Sequence, residues 1–280
     1  MKYLFMHIPK VAGCSIRSAL PEQKWHNGPF AEGYNLEYQY RPPSAWPNLN
    51  KYTGEFYKEA GQDLVTTIKE KGYADSIDHF TLEQMFEVKL FSSEEFNKYF
   101  SFCFVRNPWD RLLSIYTAQY HDAYTTMITV DTNNKTTREE FFDKIMSVDN
   151  FSFWVTKILK QINGTTPEWF YKKTNKVNVF NSTHNFSFNN HLAPQHLYAF
   201  AEQLNKKVNF VGRYENIEDD FKVVAEELGL GNNTSLPHIN SFRSERKGKH
   251  YAEFYTKEAR DVVAEIYADD IKIFGYEFEK

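Results

Sequence analysis

The sequence predicts an α/β fold, in which one domain over residues 1–280 has a central, mainly parallel sheet flanked by helices. Three segments carry this prediction, because each has a short apolar run followed by a loop or turn and a helix-like pattern. They span residues 3–20, 100–116 and 208–228. A strand that is nearly continuous in apolar residues is typical of a parallel sheet covered on both faces.

The first two units have clear local signals. Residues 3–6 form the first predicted strand, and the helix over 15–20 ends at Pro21. After a helix start at 92–95, the apolar residues 100–105 form the second predicted strand. Asn107 can then cap a helix in which Pro108 occupies the first turn, where proline is tolerated.

The remaining elements follow in chain order. A helix is predicted over 136–148, a strand over 208–214, and a helix over 217–228 that Gly229 ends. A last helix over 256–267 precedes the aromatic tail 274–278, which we expect to fill the core. Since no internal repeat or low-complexity linker interrupts the chain, we expect a single domain.

Composition narrows the class of protein. A net charge of −4 gives no global reason to bind nucleic acid, and no apolar run approaches the roughly 18–20 residues that span a bilayer. The chain has two cysteines, Cys14 and Cys103, which fits a reducing compartment better than a disulfide-stapled secreted fold. These features predict a cytoplasmic globular enzyme.

The loop "HIPKVAGCSI" (7–16) has the build of an anion site. Lys10 stands at its entrance, Gly13 permits close backbone approach, and Cys14 and Ser15 begin a helix. The lysine precedes the glycine and no Lys-Ser/Thr pair follows, so the loop does not match G-x-x-x-x-G-K-[ST]. From the loop alone, a surface lysine in a tight turn is an equal alternative.

The second junction repeats this arrangement. Arg106 ends the strand in "FCFVRNPWDRLLSIY" (102–116), and Ser114 follows two turns into the helix. These two side chains can hold a phosphate from two sides. Together the junctions predict a ligand with two separated phosphate groups.

These two motifs resemble the paired nucleotide motifs of sulfotransferases that use 3′-phosphoadenosine 5′-phosphosulfate (PAPS), and in particular the carbohydrate branch with its uronosyl 2-O and chondroitin types. The resemblance continues in "HLAPQ" (191–195), in "FVGRYENIEDDF" (210–221) and in the tail 251–278. It implies a P-loop-like sulfotransferase fold. It also implies sulfuryl transfer from PAPS to a hydroxyl of a carbohydrate or glycolipid, with adenosine 3′,5′-bisphosphate as product.

The resemblance also assigns site residues. Lys10 would contact the 5′-phosphate and the bridging oxygen, with loop contacts from Ala12, Gly13, Cys14 and Ser15. Arg106 and Ser114 would bind the 3′-phosphate. The family more often has threonine or a second small residue at the positions of Val11 and Cys14, and a thiol does not replace a threonine hydroxyl well.

A later basic run, "ERKGKHY" (245–251), resembles a segment with which cytosolic sulfotransferases close over the 3′-phosphate. By this similarity Arg246, Lys247 and Gly248 would bind the nucleotide, although a solvated loop is the simpler interpretation.

Three further residues are candidates for the acceptor side. His79 lies upstream of Arg106 in the same order as the catalytic histidine of the uronosyl 2-O type, and it is the leading general base; a helix cap or surface role is the alternative. His191 and Gln195 are candidates for substrate binding, while His191 can equally stabilise its own loop. No metal is required by any cluster in the sequence.

The resemblance fades over 21–61 and 121–190, which we expect to form a lid or the acceptor site. Two other functions fit the same motifs. One is a nucleotide kinase-like phosphoryl transferase, which would need magnesium. The other is a noncatalytic protein that binds the nucleotide or a sulfated glycan and leaves every acceptor unsulfated.

Overall fold

The computed structural model describes residues 3–20, 80–87, 91–130, 136–159, 191–231, 235–237 and 243–279. Its strands are β1 (Tyr3–Met6), β2 (Phe100–Val105), β3 (Phe200–Ala201), β4 (Lys206–Lys207) and β5 (Phe210–Arg213). Its α-helices are α1 (Gly13–Ala19), α2 (Leu82–Glu87), α3 (Ser93–Phe96), α4 (Pro108–Val130), α5 (Arg138–Ile145), α6 (Val148–Phe153), α7 (His196–Ala199), α8 (Ile217–Leu228), α9 (Lys257–Ile266) and α10 (Ala268–Phe274).

Shorter helical segments complete the description. A π-helical stretch, Trp154–Leu159, continues α6, and single 3₁₀ turns lie at Glu202–Leu204, Tyr214–Asn216, Arg243–Arg246 and Tyr251–Phe254. None of the helices in these described ranges combines the length and apolar character needed to cross a membrane.

The central sheet is parallel, as the sequence predicts. Within the described residues this sheet has three strands in the order β1-β2-β5, so β2 lies between the other two. Phe5 pairs with Phe102 across β1 and β2, and Phe102 pairs with Phe210 across β2 and β5. Because these strands are parallel, the carboxyl ends of β1 and β2 lie at the same end of the sheet. From there the chain continues toward α1 and α4.

Two apolar clusters hold these elements together. The first packs the sheet against α1 and α8, with Phe102, Ile16 and Phe221 fully buried. The second lies around α4, where Tyr116 and Trp154 pack with their ring centroids 5.5 Å apart. The two clusters therefore hold the carboxyl ends of β1 and β2, which carry the two junctions, from both sides.

Helix ends agree with the local signals. Gly229 ends α8 with a left-handed φ of 69°, which is why glycine suits that position. Thr256 caps α9 through its side chain, which accepts from the Ala259 N–H. The structure differs from the sequence-based expectation after Tyr267, where the chain starts α10 before the aromatic tail.

Candidate functional site

The first junction, residues 7–13, is a tight turn built on two non-glycine residues with left-handed backbone. Lys10 has φ 66° and Ala12 has φ 55°. Such conformations cost about 1 kcal/mol or more and persist where the surrounding structure enforces them, often at functional sites. Beyond the turn, Cys14 is exposed and Ser15 is buried at the start of α1.

Gly13 fits under the imidazole of His7. A Cβ at position 13 would lie 1.8 Å from His7 Nε2, well inside van der Waals contact. The ring is held there by Arg17, whose Nη2 donates to Nδ1 at 2.7 Å, and by stacking on Phe5 with centroids 5.8 Å apart. Glycine is therefore required by the close approach of a side chain from the same junction.

The second junction is capped as the sequence predicts. Asn107 Oδ1 accepts from the Trp109 N–H at 3.1 Å, and the Asn107 carbonyl accepts from the Arg111 N–H at 2.8 Å. Pro108 is the first residue of α4. The cap fixes where α4 begins relative to the end of β2, and so fixes the Cα of Arg106.

Arg106 joins the two junctions. Its Nη1 donates to the carbonyl of Lys10 at 3.0 Å, and its Nε donates to Asp110 Oδ2 at 2.8 Å. The guanidinium carbon lies 4.0 Å from the ring centroid of Tyr214, a cation–π arrangement. Only 4% of Arg106 is exposed. Sequence reasoning placed Arg106 at the site and missed Tyr214.

Asp110 bridges Arg106 to a second arginine. Arg246 Nη1 lies 2.5 Å from Asp110 Oδ1, and 9% of Arg246 is exposed. Burial acts to raise the pKa of Asp110, but the charges of Arg106 and Arg246 outweigh it and hold the pKa below its ordinary value. Two guanidinium groups and one carboxylate leave this Arg106–Asp110–Arg246 cluster with one net positive charge.

Ser114 lies one helical turn after Asp110. Residues four apart share a face of an α-helix, so Ser114 follows the cluster along the same face of α4. It is buried. This arrangement can hold one anion between a serine hydroxyl and guanidinium groups.

Comparison with known proteins identifies the family of this chain. The model of the sulfotransferase family matches residues 2–277. The chain belongs to the sulfotransferase family. Its general chemistry is therefore transfer of a sulfuryl group to an acceptor. No curated protein and no solved structure matches it.

In this sulfotransferase, the segment 245–248 is attached to α5 as well as to Asp110. Glu245 forms an ion pair with Arg138, and Lys247 Nζ lies 2.6 Å from Asp143 Oδ1. The Lys247 side chain thus faces α5, whereas Arg246 faces the buried cluster. Gly248 has φ 79°, a left-handed conformation that favours glycine. Of the predicted triplet, the structure brings only the Arg246 side chain to Arg106.

Gln195 holds the end of β2. Its Oε1 accepts from the Arg106 N–H and its Nε2 donates to the Arg106 carbonyl, both at 2.8 Å, and the residue is fully buried. Its own N–H donates to Asp270. The amide of Gln195 therefore positions Arg106. This location gives no support to the substrate contact that the sequence suggested for Gln195.

Arg111 joins the first junction to the segment around His191. Its Nε donates to the Pro9 carbonyl at 3.1 Å, and its terminal nitrogens donate to the carbonyls of Ala193 and His191 at 2.9 and 2.8 Å. All three of these partners are backbone carbonyl oxygens. The His191 backbone is thereby fixed near the turn that carries Lys10.

The other predicted acceptor-side features are only partly described. His79 and all of 21–61 lie outside the described residues, and of 121–190 the structure describes 121–130 and 136–159, which are mainly helical. In the ranges that are described, no group of three His, Cys, Asp or Glu side chains is placed to hold a metal ion.

Proposed function

We propose that this sulfotransferase moves a sulfuryl group from PAPS to a hydroxyl of a carbohydrate or glycolipid and releases adenosine 3′,5′-bisphosphate. The observation that carries the proposal is the hydrogen bond from Arg106 to the carbonyl of Lys10. It joins two junctions at the ends of adjacent parallel strands, where ligands of open α/β sheets bind. A nucleotide with phosphates at both its 3′ and 5′ positions matches two anion sites held at a fixed separation.

The Arg106–Asp110–Arg246 cluster suits the 3′-phosphate. Each guanidinium carries five N–H donors in a rigid fork that matches phosphate oxygens. Arg106 uses one N–H on each terminal nitrogen toward Asp110 and Lys10. Further donors on these nitrogens, with the hydroxyl of Ser114, are available to a phosphate. The net positive charge of the cluster favours an anionic ligand.

The first junction suits the 5′-phosphosulfate. The Lys10 side chain starts from a left-handed residue in the turn, and the N–H groups of Gly13, Cys14 and Ser15 follow it. Lys10 would stabilise the negative charge that develops on the bridging oxygen as the sulfur–oxygen bond breaks. We assign it the main electrostatic role in the transfer.

The acceptor hydroxyl must lose its proton as the new sulfur–oxygen bond forms. His79 is our candidate for the general base that takes this proton, an effect typically worth about 10² to 10⁴ in rate. The similarity of the two nucleotide motifs to the carbohydrate branch supports a sugar hydroxyl as acceptor. We place acceptor recognition in 21–61 and 121–190.

A transfer assay tests the proposal. The protein is incubated with PAPS that carries a labelled sulfuryl group and with desulfated glycans or glycolipids, in the presence of EDTA. We expect label in an acceptor, with turnover reduced at least 100-fold in Lys10→Met. Lys98→Met is the matched control, because Lys98 is an exposed lysine paired with Glu94.

Two results would contradict the proposal. Near-normal turnover in Lys10→Met would remove the role assigned to that lysine. Transfer from ATP that requires magnesium, with none from PAPS, would make the protein a phosphoryl transferase.

A further inference from the structure

Asp110 occupies an unusual electrostatic position. Its two carboxylate oxygens bind different arginines: Oδ2 lies 2.7 Å from Arg106 Nη2, and Oδ1 lies 2.5 Å from Arg246 Nη1. The arginines come from distant parts of the chain, the end of β2 and the 3₁₀ turn before Lys247. In the described part of the chain, neither guanidinium forms an ion pair with any other carboxylate.

The two arginines would repel each other without an anion between them. Both are almost fully buried, where charges are screened much less than at the surface. The pKa of Arg246 reflects this repulsion. Burial lowers the pKa, the charge of Asp110 opposes the shift, and the charge of Arg106 adds to it. The carboxylate is thus the group that allows both guanidinium groups to stay in the same buried place.

The position of this carboxylate affects both junctions. Arg106 contacts the Lys10 carbonyl, and the neighbour of Arg246, Glu245, is paired with Arg138 of α5. If either arginine moved away from its partner, the turn that carries Lys10 or the segment 245–248 would lose an attachment.

We infer that Asp110 is a positioning residue that takes the place of a bound anion in the nucleotide-free protein. It holds Arg106 and Arg246 in the geometry that a phosphate later uses, and it limits the cluster to one net positive charge. This inference rests on the proposed function, because the ligand is the 3′-phosphate of the same nucleotide. It predicts that an added anion can substitute for the missing carboxylate.

Thermal unfolding of Asp110→Asn tests the substitution. Asparagine keeps the size of the side chain but cannot accept from both arginines with two charged oxygens, so we expect a loss of about 10 °C in Tm. Sodium sulfate or adenosine 3′,5′-bisphosphate should restore at least half of that loss. Sodium chloride at equal ionic strength should not.

Asp270→Asn is the matched control. Asp270 is also fully buried, but it accepts from the N–H groups of Gln195 and His196 and from the His196 ring, and no arginine in the described ranges binds it. We expect this variant to lose stability and to gain no more from sulfate than the unchanged chain gains, since sulfate stabilises folded proteins in general. An equal deficit in Asp110→Asn with and without the anions would overturn the inference, since a purely structural carboxylate predicts that result.

A double variant keeps the test decisive if Asp110→Asn does not fold. Asp110→Asn with Arg246→Met removes one anion and one cation, so it should be more stable than Asp110→Asn and should gain little from sulfate. A double variant that is no more stable would also overturn the inference. If sulfate rescues Asp110→Asn but adenosine 3′,5′-bisphosphate stabilises neither protein, the positioning role stands and the proposed nucleotide is wrong.

Discussion

The contact between Gly13 and His7 predicts that a single methyl group will disturb the first junction. A Cβ on residue 13 would lie 1.8 Å from His7 Nε2 and 2.0 Å from Cδ2. The ring can move away only by giving up the Arg17 hydrogen bond of 2.7 Å and its stacking on Phe5. Gly13→Ala therefore forces either a clash or the loss of both contacts.

The expected cost follows from these contacts. Without a neighbour, alanine in a helix is more stable than glycine by up to about 1 kcal/mol. Overpacking costs about 1–3 kcal/mol, and losing a hydrogen bond with a charged donor costs about 1.5–3 kcal/mol. We expect Gly13→Ala to lower the free energy of unfolding by about 1–2 kcal/mol.

Urea unfolding of four proteins measures the effect. Circular dichroism monitors the unfolding. The four proteins are the unchanged chain, Gly13→Ala, His7→Ala and the double variant. In the His7→Ala background, Gly13→Ala should be neutral or stabilising, which gives a coupling energy of about 2 kcal/mol. Gly13→Ala as stable as the unchanged chain, with His7 in place, would refute the steric argument.

Three further predictions concern the frame of the site. Gln195→Leu leaves the buried N–H and carbonyl of Arg106 without their partner, at about 1–3 kcal/mol each, so urea unfolding should show a loss of about 2–6 kcal/mol; an unchanged midpoint would contradict the role of this amide. The lowered pKa of Asp110 means that its contribution to stability is complete above the ordinary carboxyl pKa, about 3.9, and disappears as the pH falls through the folded-state value. The stability of Asp110→Asn should therefore fall less steeply below about pH 4, and an acid profile parallel to that of the unchanged chain would count against this. Thr137→Ala removes the capping box with Glu140, worth about 1 kcal/mol, and amide hydrogen exchange in α5 should become faster; unchanged exchange would argue against the cap.

Local signals account for the elements that the sequence predicted well. β2 is apolar nearly throughout, and this pattern alone indicates a strand covered on both faces. The end of α8 at Gly229 and the caps at Asn107 and Thr256 depend on residues within four positions, so the sequence carries them directly. The order β1-β2-β5 has no such local signal, because it depends on which strands pair across the chain.

The candidate site was predictable to a similar degree. Lys10 and Arg106 were found because each follows a buried strand, and the spacing of four between Arg106 and Asp110 was an available signal for their ion pair. The role of Gln195 was not predictable, since its bonds to Arg106 span 89 positions. Arg246 was indicated only by family resemblance, and its contact with Asp110 spans 136 positions.

Calorimetric binding of adenosine 3′,5′-bisphosphate, beside adenosine 5′-monophosphate and ATP, tests the central claim most directly. Arg106→Ala is the variant to compare, and Arg260→Ala is the control, because the Arg260 side chain pairs with Asp261 and not with Asp110. We predict clear preference for the bisphosphate, lost in Arg106→Ala and kept in Arg260→Ala. Equal or tighter binding of ATP, or no binding of the bisphosphate, would contradict a site built for two separated phosphates.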